Sequence, residues 1–358
     1  MMEFFEALTG KASAFMWGNW MVILLLSVGI LYTIRTRFIQ IRRLPEALRM
    51  VLRGALRRDK ADEKAEGDIT PFQALTTALA ATVGNGNIAG VAAAIAVGGP
   101  GAPMWMWLAG IFGMATKYAE GVLGVKYREV EADGTMAGGP MYYLKKGFGS
   151  GKMGSFLGYF YAVCGLIGTL FGFGLMMQSN SIALAFKSQL NVPNWVSGGI
   201  ITFLAALVII GGIKRIGKVA ERLVPVMIII YVGSILVILL LNIKVLPAAI
   251  ILMIKSAFSP MAALGGFAGA SIRQAISTGV RRGVLSNEAG LGSASIAHGA
   301  AKTTSAMRQG MVAMSGVFVD TIVVCFATAL VLIVTGKWNS GLTSTALTAE
   351  AFNATIPF

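Results

Sequence analysis

The stretch Ala78 to Ala92, ALAATVGNGNIAGVA, decides how the rest of the chain is read. It is apolar enough for a bilayer, yet Gly84, Gly86 and Gly90 loosen its backbone, and Thr82, Asn85 and Asn87 bring polar groups into it. Each glycine inside a helix costs up to about 1 kcal/mol against alanine, and hydrocarbon offers no water to backbone groups freed by a break. An unwound stretch there needs another partner for its carbonyls and amides. In membrane carriers built on discontinuous helices, that partner is a bound ion and a bound solute near the midplane.

The composition around this stretch sets the class. Of 358 residues, 56% are hydrophobic and 13% charged, against about a quarter charged in soluble domains. An all-α polytopic membrane protein is expected. The net charge of +14 belongs to membrane orientation and calls for no nucleic acid. Cys164 and Cys325 lie in apolar runs and read as small apolar fillers, with no disulfide framework or metal cluster implied. Glu3 and Glu6 stand where a signal peptide would be basic, so the run Met21 to Leu31 is expected to remain as a membrane helix.

Apolar runs near the bilayer-spanning length of about 20 residues predict eight helices. They cover roughly 19–34, 71–97, 102–125, 154–186, 193–213, 222–241, 247–284 and 310–335. The second contains the glycine-broken stretch, and the seventh is interrupted at LGGFAG, 264–269. The tail to Phe358 is polar and too short to cross. If 35–70 is a cytoplasmic connector, part of it an amphipathic helix on the membrane, then 25 of 30 basic residues fall on the inner side. They lie in 35–64, 117–152, 214–222 and 273–308, the asymmetry of the positive-inside rule. The N-terminus is then outside, and all six tryptophans lie at outer helix ends.

Under this topology the two broken helices run in opposite directions, separated by four ordinary ones, which is an inverted-repeat pattern. The expected organisation is 1–34 as N-terminus and extra helix, 35–70 as connector, 71–242 as a first five-helix repeat, and 243–358 as a partial second repeat of two helices. The symmetry calls for roughly three further helices, each of about 20 residues.

Unwound main chain with Thr and Asn supplies oxygen ligands for a hard cation such as Na⁺. Amides around Gly84 to Asn87 suit the carboxylate of an amino acid at a helix start. Close helix packing through Gly86 and Gly90 is the plainer explanation of the same glycines. Gly265, Gly266, Phe267 and Ala268 would form the opposite wall, with carbonyls for an ammonium and room for a small side chain. Gln178, deep in the fourth helix, either donates to the solute or makes a structural bond between helices. Asp320 in VFVDTIVV is read as the one carboxylate well inside a span, able to bind a cation, carry a proton or pair with a base. His298 and Glu288 read as structural. A pore would need a continuous polar lining, and a hydrolase needs a nucleophile with a base or a metal motif such as HExxH or GxSxG, none of which occurs. No enzyme is expected.

The run TPFQALTTALAATVGNGNIAGVAAAIAVGGPGAPMWMW from Thr70, with TMAGGPMYYL at 135–144 and SNEAGLGSASIAHGAAKT at 286–303, resembles the alanine or glycine:cation symporter family. The likeness implies a LeuT-like fold with one extra N-terminal helix. It also implies a multi-pass plasma (inner) membrane protein that couples Na⁺ to uptake of small neutral amino acids, with no other cofactor. A proton- or other-cation-coupled amino-acid permease, or an inactive fragment of one, is the alternative. By the same resemblance, the Thr82 carbonyl and the Asn87 side-chain oxygen would hold one sodium beside the substrate, and the Ala80 and Val83 carbonyls a second. Substrate contacts would come from Gly84, Gly86, Asn87, Gln178, Gly266 and Phe267, with Asp320 as a further sodium ligand. Family members carry about eleven helices, so the chain reads as C-terminally truncated, and transport by it alone is not expected.

Overall fold

A computed structural model describes residues 10–11, 15–56, 65–149, 151–170, 173–258 and 272–355. The chain is almost wholly helical. Its one sheet among these residues is a two-stranded antiparallel ribbon of β1 (Glu129–Val130) and β2 (Met136–Ala137). In order, α1 covers Asn19–Arg35, α2 Ile39–Arg42, α3 Leu44–Ala55 and α4 Pro71–Thr82. A π-helical turn at Gly86–Gly90 leads into α5, Val91–Gly98. Then follow α6 (Ala102–Lys126), α7 (Pro140–Gly147), α8 (Lys152–Leu170), α9 (Phe173–Leu190), α10 (Asn194–Ile209) and α11 (Gly212–Leu241). The chain continues through α12 (Leu246–Phe258), α13 (Ile272–Asn287), α14 (Ser293–Gly299) and α15 (Ala306–Val317). A π-helical stretch, Phe318–Cys325, joins α15 to α16, Phe326–Val334, and α17 is Ser344–Asn353.

Three helical segments, α8, α11 and the continuous 306–334, are long and apolar enough to cross a membrane, and α4 with the segment 86–98 makes a fourth bent by 50°. Their outward faces carry apolar side chains, among them Phe156, Phe160, Val163, Ile229 and Ile230. Such a surface belongs in lipid. The fold is that of a multi-pass α-helical membrane protein.

The expected span 154–186 is covered by α8 and α9, with residues 171–172 outside the described residues. One boundary differs from the sequence expectation. The basic segment 214–222, expected as a loop, is the first part of the 30-residue α11. Lys and Arg are good helix formers, so charge alone does not end a helix. The seventh expected helix appears as α12 and α13, and its LGGFAG interruption lies outside the described residues.

The core forms on both halves of the broken helix. Val91, Ala92, Ala94 and Ile95 of α5 pack with Ile235, Ile238, Met253, Leu332 and Leu347, while Phe72, Leu75, Leu79 and Val83 pack with Ala220, Val224 and Val312. Helix α6 runs against α13 and α15 at very short range. A Cβ added at Gly121 would come within 2.7 Å of the Ala313 Cβ and 3.0 Å of the Gly310 Cα. Small residues permit that approach, as they do between membrane helices generally.

The start of α4 is fixed locally. Thr70 Oγ1 accepts from the Gln73 amide at 3.1 Å, Gln73 Oε1 accepts from the Thr70 amide at 3.0 Å, and Pro71 occupies the first turn. This is a capping box with proline where no amide is needed. The preceding residues pair with 300–302, where Lys302 N donates to Ile69 O at 2.7 Å. Arg128 spans the junction, donating to the Ala301 and Glu66 carbonyls at 2.6 and 2.9 Å. The α4 entrance and the 286–303 motif are thereby held together.

Candidate functional site

Helix α4 stops because Val83 leaves helical geometry (φ −77, ψ 102). The chain re-enters a wide turn at Gly86–Gly90 before α5. Asn87, 1% exposed, stitches this break together. Its Oδ1 accepts from the Gly84 amide at 2.8 Å, so a side chain takes a donor that the helix cannot. Its Nδ2 donates to Asp320 Oδ1 at 2.8 Å and to the Asp320 carbonyl at 3.0 Å, and lies 3.2 Å from Cys325 Sγ.

Asp320 stands in the π-helical stretch Phe318–Cys325, whose extra residue per turn re-aims the side chains next to it. It is 1% exposed. Its Oδ2 accepts from Ser286 Oγ at 3.0 Å and from Thr321 Oγ1 at 2.8 Å. Thr321 in turn accepts from Asn287 Nδ2 at 3.2 Å. The carboxylate thus has three neutral donors and, among the described residues, no ion pair. A buried carboxylate is costly unless a positive charge is supplied.

Ser286 and Asn287, the last residues of α13, come to the same point, and Gly86 lies beside Ser286, where an added Cβ would stand 3.4 Å from the Ser286 Cα. Thr82 and Asp320 line one small cavity together with Lys117, Asn287 and His298. Its water-accessible space of about 10 Å³ suits roughly one water molecule or bare ion. The cavity unites Thr82 with Asp320, while Asn87 joins Asp320 by hydrogen bonding. Val83 is buried at the break, and Gly84 is half-buried beside it. Ala80 is exposed on another face of α4. Gln178 reaches the break from α9, where its Nε2 donates to the Ala81 carbonyl at 3.1 Å. Gly266 and Phe267 lie outside the described residues.

Lys117 and Glu120 were not expected here. The sequence reading places Lys117 with the inner-loop charges and takes Asp320 as the one carboxylate inside a span. In the structure both Lys117 and Glu120 are buried within α6, 3% and 6% exposed. Lys117 Nζ donates to the Glu288 carbonyl at 3.2 Å and lies 3.8 Å from Glu120 Oε2, while Glu120 Oε1 accepts from the Gly290 and Gly292 amides at 2.7 and 3.1 Å. Their spacing of one helical turn was the available signal, since it lets the pair neutralise itself on one face. His298, in the short α14, lies 2.7 Å through Nδ1 from Gln309 Nε2. Burial, with Lys117 adding to it, pushes its imidazole down to about 3, so it stays neutral. Glu288 accepts from Ser293 through its carboxylate. Thr348 was also missed. From α17, in the stretch read as a polar tail, its Oγ1 donates to the Ile88 carbonyl at 3.2 Å, inside the π-helical turn.

Comparison with known proteins gives one consistent result. The model of the sodium:alanine symporter family matches residues 2–358. The chain is 48% identical over 357 residues to the sodium/alanine symporter AgcS of Methanococcus maripaludis, covering 99% of this chain and 77% of that protein. It is 48% identical over 335 residues to an uncharacterized transporter of Haemophilus influenzae, covering 94% and 71%. It is 36% identical over 338 residues to the amino-acid carrier protein AlsT of Bacillus subtilis, covering 93% and 68%.

Proposed function

Since the chain belongs to the sodium:alanine symporter family, a family of transporters and not of enzymes, we propose that it is a sodium-coupled symporter of small neutral amino acids, alanine or glycine. The observation that carries this reading is Asp320, buried beside the break in the first discontinuous helix and held by neutral donors alone. Sodium binds there as cargo. The Asp320 carboxylate supplies the charge, and Thr82 at the end of α4 supplies a main-chain oxygen. Asn87 orients the carboxylate and closes the break, with its own oxygen beside the ion.

The amino acid lies across the same break. Its carboxylate faces the amides that open the second half-helix, around Gly86, beside Gly84, whose own amide is held by Asn87, and the helix dipole there favours negative charge. Gln178, already bonded to the Ala81 carbonyl, approaches the same edge from α9 and contributes a donor. Gly266 and Phe267 are proposed as further contacts of the amino acid, and Ala80 with Val83 offers carbonyls to a second sodium. Coupling follows from electrostatics. The bound cation neutralises Asp320 and leaves a site that accepts a zwitterion without a net buried charge.

The same reading gives the molecule a LeuT-like arrangement with one extra N-terminal helix. The first repeat covers 71–242 and the second begins at 243, the N-terminus is outside, and 35–70 is on the cytoplasmic side of the cell's plasma membrane. Uptake of labelled alanine into proteoliposomes, with a sodium gradient or with potassium in its place, tests the function. Uptake that needs sodium supports the proposal. Uptake driven equally by an imposed pH gradient without sodium would assign the cation at Asp320 as a proton instead.

A further inference from the structure

The chain leaves α1 through a sharp corner. Arg37 and Phe38 both take left-handed backbone angles, φ 55 and 58, conformations that side chains other than Gly and Asn rarely adopt. The corner is braced by Gln40 Nε2 donating to Thr33 Oγ1 at 2.8 Å. It turns the chain from a membrane-crossing helix into α2 and α3.

Helix α3, LPEALRMVLRGA, divides into three stripes when about 100° is counted per residue. Leu44, Ala47, Val51 and Gly54 form the packed stripe. Ala47 is fully buried against Met114, Met311 and Met314, and a Cβ at Gly54 would come within 3.0 Å of the Phe72 Cβ. Pro45, Leu48 and Leu52 form a second stripe, in which Leu48 is half-buried and Pro45 and Leu52 are exposed, Leu52 by 61% and Ile41 and Leu56 at either end by 65% and 53%. Glu46, Arg49 and Arg53 form the third.

A single outward concavity is lined by Arg42, Arg43, Glu46, Arg49 and Arg53, with Pro45 and Met50. Arg43 is paired with Glu46. Arg42 donates to the Arg37 carbonyl at 3.2 Å, and no carboxylate pairs with Arg42, Arg49 or Arg53 among the described residues. The concavity therefore carries uncompensated positive charge directly beside an exposed apolar stripe.

We propose that this concavity is a binding site for the phosphate headgroup of an anionic phospholipid, whose acyl chains lie along Pro45, Leu48 and Leu52. The charge matches, and so does the geometry. Guanidinium groups grip phosphate through paired hydrogen bonds, and an amphipathic helix at the interface sets its apolar stripe just below the headgroups. A soluble anion would leave the apolar stripe in water, and a zwitterionic headgroup would bring no net charge. Because α3 also packs on Met311 and Met314 of α15 and on Phe72 of α4, the lipid would brace the two segments that meet at Asp320. The proposal itself does not depend on what is transported.

The test is thermal unfolding of the purified protein in detergent with dioleoylphosphatidylglycerol, dioleoylphosphatidylcholine or inorganic phosphate added. Phosphatidylglycerol is expected to raise the midpoint by about 3 °C or more above phosphatidylcholine, an advantage lost in roughly 0.5 M choline chloride. Inorganic phosphate is expected to do nothing at millimolar concentration. Arg49→Gln with Arg53→Gln removes two exposed, unpaired charges and should abolish the advantage. Glu46→Gln removes the concavity's carboxylate and should enlarge it. Equal stabilisation by the two lipids, an undiminished advantage in the double variant, or a matching effect of phosphate alone would each overturn the proposal.

Discussion

The Asn87 side-chain amide donates to the Asp320 carboxylate across 2.8 Å, joining positions 233 residues apart in the chain. At the same time the Asn87 oxygen accepts from the Gly84 amide. One side chain therefore closes the break in the first discontinuous helix and fixes the charge beside it. Asn87→Ala should remove both bonds at once and leave a buried donor and a buried carboxylate short of partners. A loss of about 2–4 kcal/mol in stability is expected, together with weaker binding of sodium and alanine. Thermal unfolding with and without sodium measures both. A variant with unchanged stability and unchanged sodium response would remove Asn87 from the site.

Lys117 faces the same cavity as Asp320 and carries the same sign of charge as the cation proposed to bind there. Like charges roughly 8–16 Å apart repel by about 1–2 kcal/mol at an effective dielectric near 20. Lys117→Met should therefore tighten the apparent sodium affinity by roughly three- to tenfold, while the loss of the Glu120 contact lowers stability. A sodium titration of the variant would contradict this if affinity fell or stayed the same.

Thr348 supplies a hydrogen bond to the Ile88 carbonyl, which also accepts from the Val91 amide at the end of the π-helical turn. Thr348→Val keeps the side-chain shape and deletes the donor. The expected loss is about 1–2 kcal/mol in stability, with wild-type expression. Indistinguishable unfolding midpoints would mean that the carbonyl finds another partner.

His298 is held neutral by burial, well below the ordinary imidazole value of 6.5. Its folded value is depressed, so the unfolded chain binds the extra proton first, and stability should fall as the pH drops from about 6.5 toward 3. His298→Gln removes this coupling and should flatten the pH dependence of the unfolding midpoint across that window. Parallel profiles for the two proteins would rule out the histidine as its source.

Much of this was legible in the sequence, because lipid makes irregular backbone conspicuous. The glycines and asparagines at 84–90 mark the break, and Asp320 stands out as an acid in VFVDTIVV. What could not be read is how segments meet. Ser286 and Asn287 look like the start of a loop motif, and only the fold brings Ser286 onto the carboxylate and Asn287 onto its neighbour Thr321. Lys117 and Glu120 escape a reading in which charge signals water, because a lysine and a glutamate one turn apart are buried together. Thr348 is one hydroxyl in a polar stretch rich in Ser and Thr, with no local pattern to set it apart.

The central claim is that Asp320 is the negative charge that holds the coupling cation. Asp320→Asn keeps the shape and removes the charge, and with it the penalty of an uncompensated carboxylate in the sodium-free protein. The most direct measurement is the unfolding midpoint of wild type and Asp320→Asn as sodium replaces potassium at constant ionic strength. The account predicts a midpoint that rises with sodium in the wild type, and a variant at least as stable without sodium that no longer responds to it. An equal sodium-dependent rise in both proteins would contradict it.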